Sequence, residues 1–154
     1  MELAWTSRRQ GDLGELSAIE WLFSSGADVF VPLFTNPDVD LIADFGDRVV
    51  RVQVKTSTCW RNGRWNVTLC TRGGNQSWNG VVKRLDPSRC DCVFVHAGDG
   101  RRWYIPASDL GGSSGILLGG PKYSRYEVEP GEPLQARPPP CPRSRERQIP
   151  TLNS

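Results

Sequence analysis

The chain has 154 residues, a hydrophobic fraction of 38% and a formal net charge of +2. This length suffices for one domain with its own core, without metal or disulfide staples. The small net charge excludes a polycation, and no apolar stretch reaches the length of a membrane span. Because no apolar signal segment follows the first arginines, we expect a cytoplasmic protein.

The predicted elements are one helix, several strands and a polar tail. Apolar residues recur at helical spacing through residues 6–25, and Gly26 provides a stop signal. Strands are predicted at Asp28–Leu33, at the runs that contain Asp40 and Lys55, and at Arg64–Cys70, Asp91–His96 and Arg102–Pro106. A short helix is predicted at 106–110. We expect a domain over 1–130 and a Pro/Arg-rich disordered tail over 131–154. A helix followed by several strands predicts an α/β or α+β layer structure for the domain.

Cysteine and histidine chemistry is disfavoured by the pattern of these residues. The five cysteines form no C-x-x-C pair, and the one-residue spacing of Cys90 and Cys92 does not suit zinc. Buried thiols in a reducing compartment fit better. The single histidine, His96, ends a strand-like run, so we expect it to be structural.

The segment from Asp40 to Lys55 predicts a hairpin with polar groups on one side. Side chains of a strand alternate between two faces, so Val50, Val52 and Val54 share a core face. Arg51, Gln53 and Lys55 share the other face, which we expect to meet water or a charged ligand. A Gly-Asp pair at 46–47 provides the turn.

These polar groups form the layout of a metal-dependent phosphodiesterase site. Magnesium takes oxygen ligands, commonly one or two carboxylates together with waters and substrate phosphate. The first predicted ligand is Asp40 and the second is Glu15, which begins the apolar stripe of the helix. The Gln53 amide oxygen and the Val54 backbone carbonyl are further candidates. The Lys55 ammonium is expected to position the attacking water and to neutralise charge in the transition state.

Two aspartates compete for the first ligand position. Asp38 directly follows Pro37, whereas Asp40 continues into an apolar strand. We choose Asp40 on this ground and interpret Asp38 as a turn acid.

Glu15, the Pro37-Asp38-x-Asp40 run and Gln53-x-Lys55 together resemble the PD-(D/E)XK nuclease superfamily. The segments that begin at Asp40 and that end in Gln53-Val-Lys55-Thr56 are similar to the homing-type endonucleases of group I introns. Those enzymes also carry glutamine at the middle position of the motif. The resemblance spans about residues 8–129. It implies a restriction-endonuclease-like core with a central mixed sheet flanked by helices. It also implies Mg²⁺-dependent cleavage of double-stranded DNA, with Mn²⁺ as a substitute, by a homodimer or homotetramer on near-palindromic sites.

Further residues are candidates for contacts with DNA because they are basic, aromatic or hydroxylic and lie beside these strands. They are Arg51, Thr56, Ser57, Arg61, Arg64, Arg72, Trp78 and Lys83.

Three other functions stay open on the sequence. A nuclease selective for Holliday-type four-way junctions fits the same motif. A noncatalytic DNA-binding module also fits, because Gln53 replaces the usual acid and lowers the negative charge of the site. The third is a structural or partner-binding domain, which should show no salt-dependent affinity for DNA.

Overall fold

The computed structural model describes residues 6–72 and 82–134. The chain opens with helix α1, Ser7–Ser24, whose N-cap Thr6 accepts a hydrogen bond from the Arg9 amide at 3.2 Å. The helix ends before Gly26, which has a positive φ of 93°. The predicted helix is therefore confirmed. No helix of the described residues is long and apolar enough to cross a membrane.

The strands form two sheets and a short ribbon. In chain order they are β1 Asp28–Phe30, β2 Leu41–Asp44, β3 Val49–Ser57, β4 Trp60–Arg61, β5 Arg64–Thr68, β6 Thr71–Arg72, β7 Val82–Lys83, β8 Cys92–Ala97, β9 Arg102–Pro106, β10 Gly115–Leu118 and β11 Glu127–Val128. Two 3-10 helices, Ala107–Leu110 and Pro121–Tyr126, follow β9 and β10.

The main sheet has six strands in the order β1-β2-β3-β8-β9-β11. Strands β3 and β8 are parallel, with Gln53 opposite Val93 and Lys55 opposite Val95, and the other neighbours are antiparallel. The sheet is thus mixed, as predicted. Strands β10, β5 and β4 form the second sheet, and β6 pairs with β7 in the ribbon.

Helix α1 covers one face of the main sheet. Ala18 and Leu22 of the helix pack there with Leu41, Val52 and Phe94, all fully buried. This confirms that the valines of β3 face a core, because β-branched residues at alternate positions suit such a surface.

The opposite face of the main sheet meets the second sheet. Val93 and Val95 pack there with Trp65 and Val67 in a separate core. Gln53 and Ser57, which belong to this face of β3, are each only 5% exposed. Of the two expected surroundings, water or a charged ligand, bulk water is therefore excluded for Gln53, because a second layer covers this face.

Several short elements depart from the sequence-based prediction. Strand β1 ends at Phe30, before Pro32, which cannot donate a ladder hydrogen bond. Strands β10 and β11 and the second 3-10 helix were not predicted. Beyond β11 the chain still packs on the domain, because the Gly131 amide donates to the Gly100 carbonyl at 2.8 Å and the Leu134 amide donates to the Gly98 carbonyl at 3.0 Å.

Candidate metal-binding and catalytic site

The site lies where β2 begins and its partner β3 continues past it. The Asp40 amide donates to the Val52 carbonyl at 2.9 Å, which is the last ladder bond on this side. Beyond it, the Val54 amide donates to the Asp40 carboxylate, with Val54 N 2.7 Å from Oδ2. A side-chain oxygen thus replaces a backbone acceptor and fixes the Asp40 carboxylate against the strand.

The Val54 carbonyl faces the same opening. In a strand the N–H and C=O groups of one residue point to the same side. Because the Val54 amide points to Asp40, its carbonyl does so too. This arrangement supports the prediction that Val54 can supply a backbone oxygen to a cation beside Asp40.

Gln53 presents an unpaired oxygen inside the fold. Its Nε2 lies 3.4 Å from the Pro37 carbonyl oxygen. Its Oε1 is buried and has no hydrogen-bond partner. A buried acceptor without a donor costs about 1–3 kcal/mol, so this oxygen is disfavoured unless a cation or water reaches it.

Lys55 and Asp40 are charged groups that are partly withdrawn from water. Burial raises the pKa of Asp40, while the Val54 amide and the Lys55 charge act in the opposite direction. Burial lowers the pKa of Lys55, and the negative charge of Asp40 partly offsets this. The two side chains are therefore close enough to interact, although the fold disfavours the charged form of each.

Glu15 comes to the site from helix α1. Burial raises its pKa, and the negative charges of Asp40 and then Asp12 raise it further. The two predicted carboxylate ligands therefore lie within electrostatic reach of each other from opposite sides of the site. Such repulsion between carboxylates is relieved when a cation binds between them.

These donors fit a hard divalent cation. They are two carboxylates, one orphaned amide oxygen and one backbone carbonyl. Among residues 6–72 and 82–134, no group of three or more His, Cys, Asp or Glu side chains could hold a metal ion. Divalent cations such as Mg²⁺ are commonly held by one or two carboxylates, with waters and substrate phosphate oxygens as the other ligands.

Asp38 has a buried, ion-paired environment that the sequence did not predict. It is 7% exposed and lies between two cations, with Lys83 Nζ 2.6 Å from Oδ1 and Arg89 Nε 2.8 Å from Oδ2. The Arg89 contact lacks the alignment of a hydrogen bond and is therefore electrostatic. Asp38 lies in the bend before β2, as expected of a turn acid, but it is buried there and ion pairs compensate its burial. The adjacent proline was the only local signal, and nothing near Arg89 indicated its role.

Three of the predicted DNA contacts are already used inside the fold. The Arg51 guanidinium donates to both Asp91 oxygens, at 2.9 and 2.8 Å, and to the Ser88 carbonyl at 3.0 Å. The Ser57 hydroxyl is buried and donates to the Asn66 carbonyl at 2.5 Å. Thr56 lies on the α1 face and accepts from Gln10 Nε2 at 3.2 Å. The buried Ser57 hydroxyl is therefore not available to DNA, whereas Arg51 and Thr56 retain only their remaining donors.

The other candidates surround the second sheet and the ribbon. Arg61 and Arg64 face each other across the β4–β5 hairpin, whose turn residues Asn62 and Gly63 have positive φ of 49° and 73°. Arg61 is exposed and Arg64 is half-buried. Lys83 is half-buried on β7, Arg72 belongs to β6, and Trp78 lies outside the described residues.

Comparisons with known proteins identify the family and the fold of this chain. The sequence profile of the PD-(D/E)XK endonuclease family matches residues 5–121. Among solved structures, a bacterial homing endonuclease, I-Ssp6803I, superposes with a TM-score of 0.69 at 21% identity, covering 80% of this chain and 89% of that one. This likeness confirms the restriction-endonuclease-like fold. A comparison with curated protein sequences found no match. Since the family profile spans most of the chain, this protein belongs to the PD-(D/E)XK endonuclease family.

Proposed function

We propose that this nuclease is a Mg²⁺-dependent DNA endonuclease that hydrolyses phosphodiester bonds of double-stranded DNA, of homing type or derived from one. The observation that carries the proposal is that Asp40, fixed by the Val54 amide, interacts electrostatically with both Glu15 and Lys55. Gln53 adds a buried oxygen without a hydrogen-bond partner on the same strand as Lys55. Carboxylates, an unpaired oxygen and an ammonium are the groups that phosphodiester hydrolysis needs.

Asp40, Glu15, Gln53 Oε1 and the Val54 carbonyl would hold Mg²⁺, and Mn²⁺ would substitute because it accepts the same oxygen ligands. The bound ion supplies Lewis-acid activation of water and of the scissile phosphate. The Val54 amide fixes one oxygen of Asp40. The other oxygen of this carboxylate is therefore presented in a defined orientation.

Lys55 acts on the substrate side of the site. Its ammonium orients the attacking water through a hydrogen bond and neutralises the negative charge that develops on the phosphorane oxygens. Its pKa is lowered by burial, so it also exchanges a proton more readily than an exposed lysine. The Asp40 charge beside it keeps the ammonium form accessible.

Cleavage of both strands requires more than one such site. A single site cuts one strand at a time, and a symmetric dimer places two equivalent sites on the two strands of a near-palindrome. We therefore propose a homodimer or homotetramer. Arg61 and Arg64, with Arg72, Trp78 and Lys83, would contact the DNA beside each site.

The choice between duplex and junction substrates is open to direct test. The purified chain is incubated with Mg²⁺, a library of long duplexes and a synthetic four-way junction, and the products are sequenced at their ends. Cuts at recurring duplex sites are the expected result. Cleavage confined to the junction would overturn the homing interpretation. Salt-dependent binding of DNA without any cleavage would instead favour the noncatalytic module, for which Gln53 in place of an acid is the supporting feature.

A further inference from the structure

Asp38 is a buried carboxylate that the proposed chemistry does not use. Lys83 Nζ and Arg89 Nε both contact it, at 2.6 and 2.8 Å, and both cations retain exposed surface. A buried carboxylate is retained only when its charge is compensated. The contacts therefore hold three separate chain segments together: the turn before β2, strand β7 and the connection before β8.

The connection that carries Arg89 is itself ordered by a second acid. Asp86 Oδ1 accepts from the Ser88 amide at 2.9 Å and from the Ser88 hydroxyl at 2.7 Å. The Asp86 carbonyl accepts from the Arg89 amide at 3.0 Å. Lys83 and Arg89 also lie close enough to lower the pKa of Asp86, after its hydrogen bonds with Ser88. Two acids thus face two cations, so the formal charges of the cluster balance.

Pro37 connects this cluster to the metal site. Its carbonyl contacts Gln53 Nε2, and a carbonyl can only accept a hydrogen bond. The amide nitrogen of Gln53 therefore faces Pro37, and Oε1 is turned away from that carbonyl and is buried without a partner. A shift of Pro37 would allow the amide to rotate and to present N–H groups, which cannot bind a cation.

We propose that Asp38 is a positioning residue for metal binding: its ion pairs with Lys83 and Arg89 hold Pro37 against Gln53, so that Gln53 Oε1 faces the metal. This inference rests on the proposed function, because it concerns the same site. The proposed chain of contacts begins with Lys83 and Arg89, which bind Asp38. Pro37, next to Asp38, then contacts Gln53, and Gln53 binds the cation. Lys83 thereby has a structural task besides any contact with DNA.

A purely electrostatic effect and a positioning effect make the same prediction for one variant and opposite predictions for another. Asp38→Asn removes a negative charge and weakens cation binding on either account. Lys83→Gln/Arg89→Gln removes two positive charges, so a purely electrostatic effect would strengthen cation binding. Positioning predicts that the double variant weakens it, because the segment of Pro37 is released.

The test is calorimetric titration of Mn²⁺ into the full chain without DNA, together with thermal unfolding of the metal-free proteins. Asp38→Asn and the Lys83→Gln/Arg89→Gln variant are each expected to raise the Mn²⁺ Kd about tenfold, the lower range for residues that orient metal ligands. The triple variant should bind no more weakly than either, because all three residues act through one contact chain. Glu127→Gln breaks the Arg101 ion pair on edge strand β11 and should leave the Kd unchanged.

Unchanged or tighter Mn²⁺ binding by the double variant would overturn the inference, as would additive losses in the triple variant. If Asp38→Asn does not fold, the double variant decides the matter. If the wild-type chain binds Mn²⁺ and cuts DNA while these variants bind it equally well, the positioning role fails and the proposed function stands. A wild-type chain that neither binds Mn²⁺ nor cuts DNA removes both.

Discussion

Two polar clusters, each built around buried side chains, occupy different parts of the main sheet and differ in how completely their groups are paired. The first contains the residues predicted to be catalytic and is called the catalytic cluster: Glu15, Asp40, Gln53 and Lys55. The strap cluster consists of Ser17, Glu20, His96 and Arg102, which lie beneath the chain segment 129–134.

The strap cluster satisfies its members. Arg102 is 4% exposed and donates to Glu20 at 2.5 Å, to the Glu129 carbonyl at 2.6 Å and to the Pro130 carbonyl at 3.3 Å. The ring nitrogens of His96 lie 2.6 Å from Ser17 Oγ and 2.9 Å from the Glu132 carbonyl oxygen. Such a network fastens the chain after β11 to helix α1 and provides hydrogen-bond partners for the buried polar atoms of His96 and Arg102.

The catalytic cluster keeps an orphaned oxygen, and its carboxylates have raised pKa values. The fold thus holds groups together at the expense of stability, which is typical of functional sites. Incomplete pairing, rather than burial of polar groups as such, therefore distinguishes the catalytic cluster from the strap cluster.

The largest expected effect is on catalysis. Replacement of Lys55 by alanine should slow single-turnover cleavage about 10²–10³-fold, since one preorganised electrostatic contact to the transition state is lost. The unfolding free energy should not fall, because the lowered pKa of Lys55 shows that its buried charge is disfavoured. Rate and urea unfolding are measured on the same preparation. A stability loss with unaltered cleavage would place Lys55 with the structural residues.

In the strap cluster the expected effect is on stability. Arg102→Met leaves the Glu129 and Pro130 carbonyls without their donor and should lower the unfolding free energy by about 3 kcal/mol. Cleavage by the folded protein should remain close to wild type. Urea unfolding measures the unfolding free energy, and single-turnover kinetics at low temperature measure the cleavage rate. Loss of cleavage in fully folded protein would show that the strap also serves the site.

An added charge in the catalytic cluster should destabilise the metal-free protein. Gln53→Glu places a third carboxylate beside Glu15 and Asp40 and sets an oxygen against the Pro37 carbonyl, which should cost about 1–3 kcal/mol. Bound Mn²⁺ should restore more stability than it does in the wild type. Thermal unfolding with and without Mn²⁺ measures both. Equal metal-free stability would contradict the unpaired and confined state of Gln53.

The smallest expected effect is a difference in pH dependence between the clusters. In the folded protein the pKa values of Asp40 and Glu15 are raised above their ordinary values of 3.8 and 4.5. The contribution of these groups to stability therefore falls as the pH rises from the ordinary pKa to the raised pKa. Burial, and then the Arg102 charge, lower the pKa of His96 below 6.5 despite its bond to Glu132. The contribution of His96 is therefore complete above pH 6.5 and is lost as pH falls through the lowered value.

Unfolding of the wild type, Asp40→Asn and His96→Gln across about pH 4–8 tests these signs. The stability of Asp40→Asn relative to the wild type should rise with pH at the acidic end. The stability of His96→Gln relative to the wild type should rise as pH falls below 6.5. Each change should stay within about 1 kcal/mol. Slopes of the same sign for both variants would refute the contrast.

Sequence periodicity sufficed for the parts of the fold that follow from alternation and turn residues. It placed Val50, Val52 and Val54 on a core face, and the turn at Gly46 brought Asp40 beside β3. It also predicted helix α1 and the pairing of the strands around His96 and Arg102. These features depend on neighbours along the chain, which a sequence displays directly.

The remainder depends on which distant segments pack together. The second sheet covers Gln53 and Ser57, and strands β10 and β11 are too short to show alternation. In the sequence Asp38 resembles an ordinary turn acid, because its partners Lys83 and Arg89 lie far along the chain and contact it only in the folded protein. The geometry of the site could therefore be inferred from sequence only along β2 and β3, whereas its supporting contacts required the structure.

The most direct test of the catalytic assignment is cleavage of a long-duplex DNA library by the wild type and by Asp40→Ala, with Mg²⁺ and with a chelator. The variant's fold is verified by circular dichroism. We predict nicked or cut DNA only for the wild type with Mg²⁺, and DNA binding by both proteins. Undiminished cleavage by folded Asp40→Ala, or no cleavage by the wild type with either Mg²⁺ or Mn²⁺, would contradict the assignment.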